Sequence, residues 1–259
     1  MLAAVLIACL AFGTWILTTV YLCWQWWHYT RQSYGVSRIY QRKAGLDNDA
    51  LNKLVIYALP VWGIINRSWQ APDKFLFMDV RVVPVPSWVV AAAGAVAVAV
   101  TGLWMVRLTR DWFWGTVSLA HTLYVCSHLL VFGLGYIAID NINHGWLVLT
   151  IWHNGQYIFT VWMFNNNRFK DNVDPKHRFL SFISRRSQVV TYLGVCLLLS
   201  TVIYGALQSS LGWIAAVTAT SLPLFIIAFQ AINFHHYVVD AVIWKVSRKQ
   251  IRQNLGLAN

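Results

Sequence analysis

The chain has 259 residues, 58% of them hydrophobic and only 11% charged, with a mean hydropathy of +0.52. A soluble domain of this size does not carry so much apolar surface, and the composition fits a polytopic membrane protein. The formal charge of +11 would suit nucleic acid, but the loop pattern described below accounts for it without such a partner. All nine acidic residues are aspartate, so a di-iron site built on Glu-x-x-His helices is excluded. Cys9, Cys23, Cys126 and Cys196 lie inside apolar runs, which argues against a disulfide framework.

Residues 1–27 have no basic leader, and Leu6-Ile7-Ala8-Cys9 comes too early for a lipoprotein cleavage box. The segment therefore reads as a retained transmembrane helix. Spans of about 20 apolar residues fall near 3–27, 52–66, 87–106, 112–139, 146–165, 188–207 and 212–244. The second is short, and the last has room to bend at Pro223. The small residues of 91–100 favour close helix approach. Alternate loops hold 17 basic residues on one side and 3 on the other, which by the positive-inside rule puts the N-terminus outside and the C-terminus inside. The expected fold is an all-α, seven-helix integral membrane bundle, one domain over 1–259, in the cytoplasmic membrane.

Ionisable groups at membrane depth are costly and face the bundle interior. In the last segment Gln230, Asn233, His236 and Asp240 fall on one helical stripe, while His235 points about 100° away. A carboxylate four residues beyond a histidine can accept its second ring N–H, the arrangement common around metal-bound imidazole. The fourth segment aligns Ser118, His121, Tyr124 and His128. The fifth aligns Thr150, His153, Gln156, Tyr157 and Thr160. At ~1.5 Å per residue, His121, His153 and His236 come to a common level, with His128 about 10 Å further out. His28 joins them only if the first helix continues inward. His144 and His177 lie in loops and read as solvated. The expected ligand set is thus drawn from His28, His121, His128, His153, His235, His236 and Asp240. Imidazole donors suit iron, copper, zinc or nickel, and two of them could instead hold haem b. Polar packing or a proton path is the remaining alternative.

The topology, the isolated histidine of Trp152-His153-Asn-Gly-Gln-Tyr157, and Phe234-His235-His236-Tyr-Val-Val-Asp240 before a basic tail together resemble the Brp/Blh-type membrane carotene dioxygenases. In that family the fifth-span motif carries two histidines four apart, and Tyr157 stands where the second would be. The late stretch is similar to the family's Pro-His-x-x-x-x-Asp. The resemblance implies oxygen-dependent cleavage of a carotenoid by non-haem iron. A retinal-binding rhodopsin would need a lysine inside the last span, where only Lys245 stands, at its end. A desaturase or hydroxylase would show several His-x-x-His-His clusters. The expected function is a membrane iron oxygenase acting on a lipid-soluble substrate, with Asp240 orienting His236 and with Tyr157 or Gln156 positioning an intermediate. The alternative is a haem-carrying electron-transfer subunit or an assembly partner in a larger membrane complex.

Overall fold

The structure, a computed structural model, describes residues 1–47, 49–244 and 248–257. Lys245, the expected inner end of the last segment, lies outside the described residues. The chain forms two compact units, Phe12–His153 and Met1–Ala11 with Asn154–Asn259. The described residues are all-α apart from one two-stranded hairpin.

In the first of these units α2 (Thr14–Lys43) is followed by α3 (Ala50–Gln70), the hairpin β1 (Lys74–Phe75) and β2 (Met78–Asp79), α4 (Ser87–Phe113), α5 (Leu119–Gly133) and the start of α6 (Ile142–Phe169). Asp49 starts α3 by accepting the Asn52 N–H at 2.8 Å, an N-cap that satisfies one of the helix's free donors. Its other oxygen receives the Arg107 guanidinium from α4. Burial alone would raise the Asp49 carboxyl; the Asn52 N–H and the Arg107 charge outweigh it and hold the group below the ordinary carboxylate range.

Two buried clusters tie the helices together. Val55, Ile56, Trp104 and Val125 join α3, α4 and α5. Tyr29, Phe132, Tyr136 and Leu149 join α2, α5 and α6. Gly63 is what lets α3 reach Tyr136: a Cβ there would stand 2.6 Å from the Tyr136 Cβ. Beyond α5 the chain widens into a π-helical turn, Leu134–Ala138. Arg67, 1% exposed, caps that turn. Its guanidinium donates to Gly135 O at 2.8 Å and Asp140 O at 2.7 Å, and also to Ile139 O. A cation at a helix C-terminus meets both the orphan carbonyls and the negative end of the dipole. From the sequence Arg67 read as a loop residue.

The other unit holds α1 (Leu2–Phe12), the rest of α6, α7 (Arg178–Ile183), α8 (Val189–Thr218), α9 (Leu224–Ile243) and α10 (Lys249–Asn254). Tyr204 of α8 meets Phe229 of α9 at 5.8 Å between ring centroids.

Among the described residues, four helical stretches, not seven, are long and apolar enough to cross a membrane: Ser87–Phe113, Leu119–Ala138, Arg186–Thr218 and Leu224–Ile243. The expected first span is broken at Gly13, whose φ of 86° ends α1 after 11 residues. Its remainder belongs to α2, which carries Gln25, His28, Arg31, Gln32, Ser33 and Arg38. The second falls in α3, polar at both ends through Asn52, Lys53, Asn66 and Arg67. The fifth falls in α6, where His144, His153, Asn154, Gln156 and Asn165–Arg168 dilute the apolar run. The last is cut in two. Residues 212–218 extend α8, Ala219 turns left-handed at φ 51°, and α9 begins only after Pro223.

Candidate metal centre

α6 carries residues of both units, with His153 at the end of the first and Tyr157 in the second. His153 and Tyr157 lie four residues apart on this helix and so share a face. His153 is 2% exposed. Its ring stacks on Tyr29 with centroids 3.8 Å apart and meets the His28 ring edge-on at 5.1 Å. Two further bonds fix α2 against this turn of α6: Gln32 Nε2 donates to His153 O at 3.1 Å, and the Tyr29 hydroxyl pairs with Thr150 Oγ1 at 3.0 Å. His28 reaches this position because α2 runs unbroken to Lys43, which meets the condition the sequence imposed on it.

One turn along α6, Tyr157 stands against α9. Its ring meets His236 edge-on at 5.0 Å, and its hydroxyl donates to Asp240 Oδ1 at 3.4 Å. Asp240 Oδ2 is 3.4 Å from His236 Nε2, so the i, i+4 spacing brings carboxylate and imidazole together within one helix. A carboxylate on one ring nitrogen fixes the tautomer and leaves the other nitrogen for a metal. His235 is exposed.

His28, His153 and His236 form a group that could hold a metal ion. His121 and His128 belong to a different environment. The His121 Nε2 bonds Ser37 Oγ at 3.0 Å, beside a polar pocket that includes Asn52, Arg107, Asp111 and Thr122. The His128 Nε2 lies 2.9 Å from Ile56 O, and a carbonyl partner requires that this nitrogen carry the proton. That carbonyl is free because residue 60, four positions on, is a proline within α3 and has no N–H to return. His128 thus supplies the donor that Pro60 removes. Gln156 is half-buried on α6, while His144 and His177 are exposed.

Sequence reasoning did not single out Tyr29 or Gln32. The signal was present, since Gln25, His28/Tyr29, Gln32/Ser33 and Ser37 recur at helical spacing, and it becomes readable once α2 is known to continue past residue 27.

These features define a class: a helical protein with four candidate membrane spans and a three-histidine group able to hold a metal. No protein-family model, curated protein or solved structure matches the chain.

Proposed function

We propose that His28, His153 and His236 bind one iron ion, and that the chain is a multi-pass oxygenase of the cytoplasmic membrane acting on a lipid-soluble substrate such as a carotenoid. The observation that carries this reading is the three-histidine group on α2, α6 and α9. Three neutral imidazoles match iron, copper, zinc or nickel by donor type. The resemblance of the two histidine stretches to the carotene dioxygenases selects iron among these. Three protein donors leave coordination positions open, as non-haem iron oxygenase chemistry requires. Cleavage of a carbon–carbon double bond by dioxygen gives one oxygen atom to each carbon, so the reaction balances without an added reductant.

The chain's own residues would then divide the work. Asp240 holds the His236 tautomer, at the 3.4 Å separation within α9. Tyr157, held by Asp240, and Gln156 orient the substrate beside the metal. Tyr29 and Gln32 keep α2 in register with α6 and so keep His28 facing His153. His121 and His128 serve packing through Ser37 and Ile56 O.

The test is the purified chain in detergent. Stoichiometric iron, no Soret band, and oxygen uptake on adding a carotenoid are expected. A Soret band would mean haem, and zinc at full occupancy with no oxygen uptake would overturn the oxygenase reading.

A further inference from the structure

The stretch between α6 and α8 is held in one shape by its own polar groups. Lys170 and Asp171 both turn left-handed, at φ 52° and 59°. Asn166 closes that turn, its Nδ2 donating to Asp171 Oδ1 at 2.8 Å and to Ser184 O at 3.0 Å. Asp171 Oδ1 also accepts the Arg186 N–H at 2.7 Å. Asp174 Oδ1 accepts the Lys176 N–H at 2.7 Å, and the Asp174 N–H donates to Ser181 Oγ. Both carboxylates of the stretch are therefore engaged with amide donors. Lys170, Lys176 and Arg178 are exposed, and among the described residues none of them forms an ion pair. Arg168 and Arg186 are exposed beside them.

α7 buries Ile183 but presents both of its phenylalanines outward. Phe179 and Phe182 are 64% and 42% exposed, while Ser181 and Ile183 are buried. Arg178, Phe179 and Phe182, at i, i+1 and i+4, share the outward face. Aromatics beside cations on an exposed face are what a segment at a lipid interface requires, rings at the acyl boundary and charges among the headgroups. α8 follows directly, and among its residues only Tyr192 is buried. The basic tail joins the same end: Asn167 Nδ2 donates to Asn254 O at 2.9 Å, Leu255 and Leu257 are buried, and Arg248 and Lys249 stay exposed.

We propose that residues 168–188, with α10, form a binding platform for the phosphate headgroups of anionic lipids. Lys170, Lys176 and Arg178 pair with the phosphates, and Phe179 and Phe182 bed among the acyl chains. A juxtamembrane basic cluster gains about fivefold in affinity for an anionic surface per Lys or Arg near it, less as salt screens the charges. The platform stands independently of the metal reading.

The test uses the full chain in phosphatidylcholine bilayers doped with spin-labelled phosphatidylglycerol or spin-labelled phosphatidylcholine. The motionally restricted fraction of each label gives the relative affinity. The wild type should restrict phosphatidylglycerol preferentially, and a Lys170→Gln, Lys176→Gln, Arg178→Gln triple variant should lose most of that preference at low salt. Lys170→Arg with Lys176→Arg should retain it, as should Arg81→Gln, a charge change elsewhere. Equal restriction of both labels by the wild type would overturn the proposal. So would an unchanged preference in the triple variant, or displacement of the lipid by inorganic phosphate at fixed ionic strength, which would mark a site for the free anion.

Discussion

His128 shows how a buried histidine can hold a structural hydrogen bond without a ligand. Its ring N–H replaces the one that Pro60 denies to Ile56 O. His128→Ala should cost about 1–3 kcal/mol, the penalty of an orphaned buried acceptor, and leave metal content unchanged. In a Pro60→Ala background, where an amide N–H is restored, the same substitution should cost less; equal losses by thermal unfolding in both backgrounds would contradict the assignment. A second cycle addresses His236. Coupling of ~0.5–3 kcal/mol in metal affinity is expected between His236→Ala and Asp240→Ala, as for residues in contact, and near-additivity between His235→Ala and Asp240→Ala. The His236–Asp240 contact was readable in the sequence because it is local, four residues within one helix. The role of His128 was not, because it depends on a carbonyl exposed by a proline 68 residues earlier in the chain.

Among the elements, α4 and the first two thirds of α8 were plain in the sequence, being long and almost uniformly apolar, while residues 212–218 of α8 were assigned to the last span. α2 and α6 were misjudged as spans cut at polar residues, because a helix that buries polar side chains against its neighbours keeps its length without keeping its hydropathy. The π-helical turn at 134–138 and its Arg67 cap left no periodic signal, since three backbone carbonyls supply the acceptors. Close packing at α3 gives a sharp test. Gly63→Ala should destabilise by about 1–3 kcal/mol, the range for overpacking, since the new methyl meets Tyr136. Gly205→Ala on α8 meets nothing within 4 Å and should be neutral or slightly stabilising; similar losses for both would refute the α3 contact.

The loop after α6 responds to pH through Asp171. The Arg186 N–H, followed by Asn166 and the nearby arginines, holds this exposed carboxyl below its ordinary value. A depressed carboxylate contributes in full above its unfolded pKa and loses that contribution as pH falls through the lower folded value. Protection of the Arg186 amide from hydrogen exchange, corrected for the intrinsic rate, should persist at neutral pH and fade below about pH 4. Asp171→Asn should show weaker protection at neutral pH, and unaltered protection would remove the carboxylate from the turn.

For the whole molecule, the described residues hold four candidate spans where the sequence suggested seven, and the expected parity changes with them. With Ser87–Phe113, Leu119–Ala138, Arg186–Thr218 and Leu224–Ile243 crossing, both termini share a side, and every Lys and Arg except Arg107 and Arg110 falls on it or at its edge. If all four cross, the positive-inside rule would make that side cytoplasmic. A four-span arrangement would place 18 of the 20 basic residues on or at the edge of one side, against 17 for seven spans. Reporter fusions before Met1 and after Asn259 should report the cytoplasm and one at Thr116 the opposite side; termini on opposite sides would rule out the four-span arrangement.

The central claim, a metal held by three imidazoles, is tested most directly by elemental analysis of the purified chain beside four alanine variants. His28→Ala, His153→Ala and His236→Ala should each lower metal affinity by one to two orders of magnitude, the usual effect of losing a ligand or its orienting partner, and His177→Ala should match the wild type. Equal metal content in all five proteins, measured after dialysis against a competing chelator, would contradict the account and leave the three histidines as packing residues.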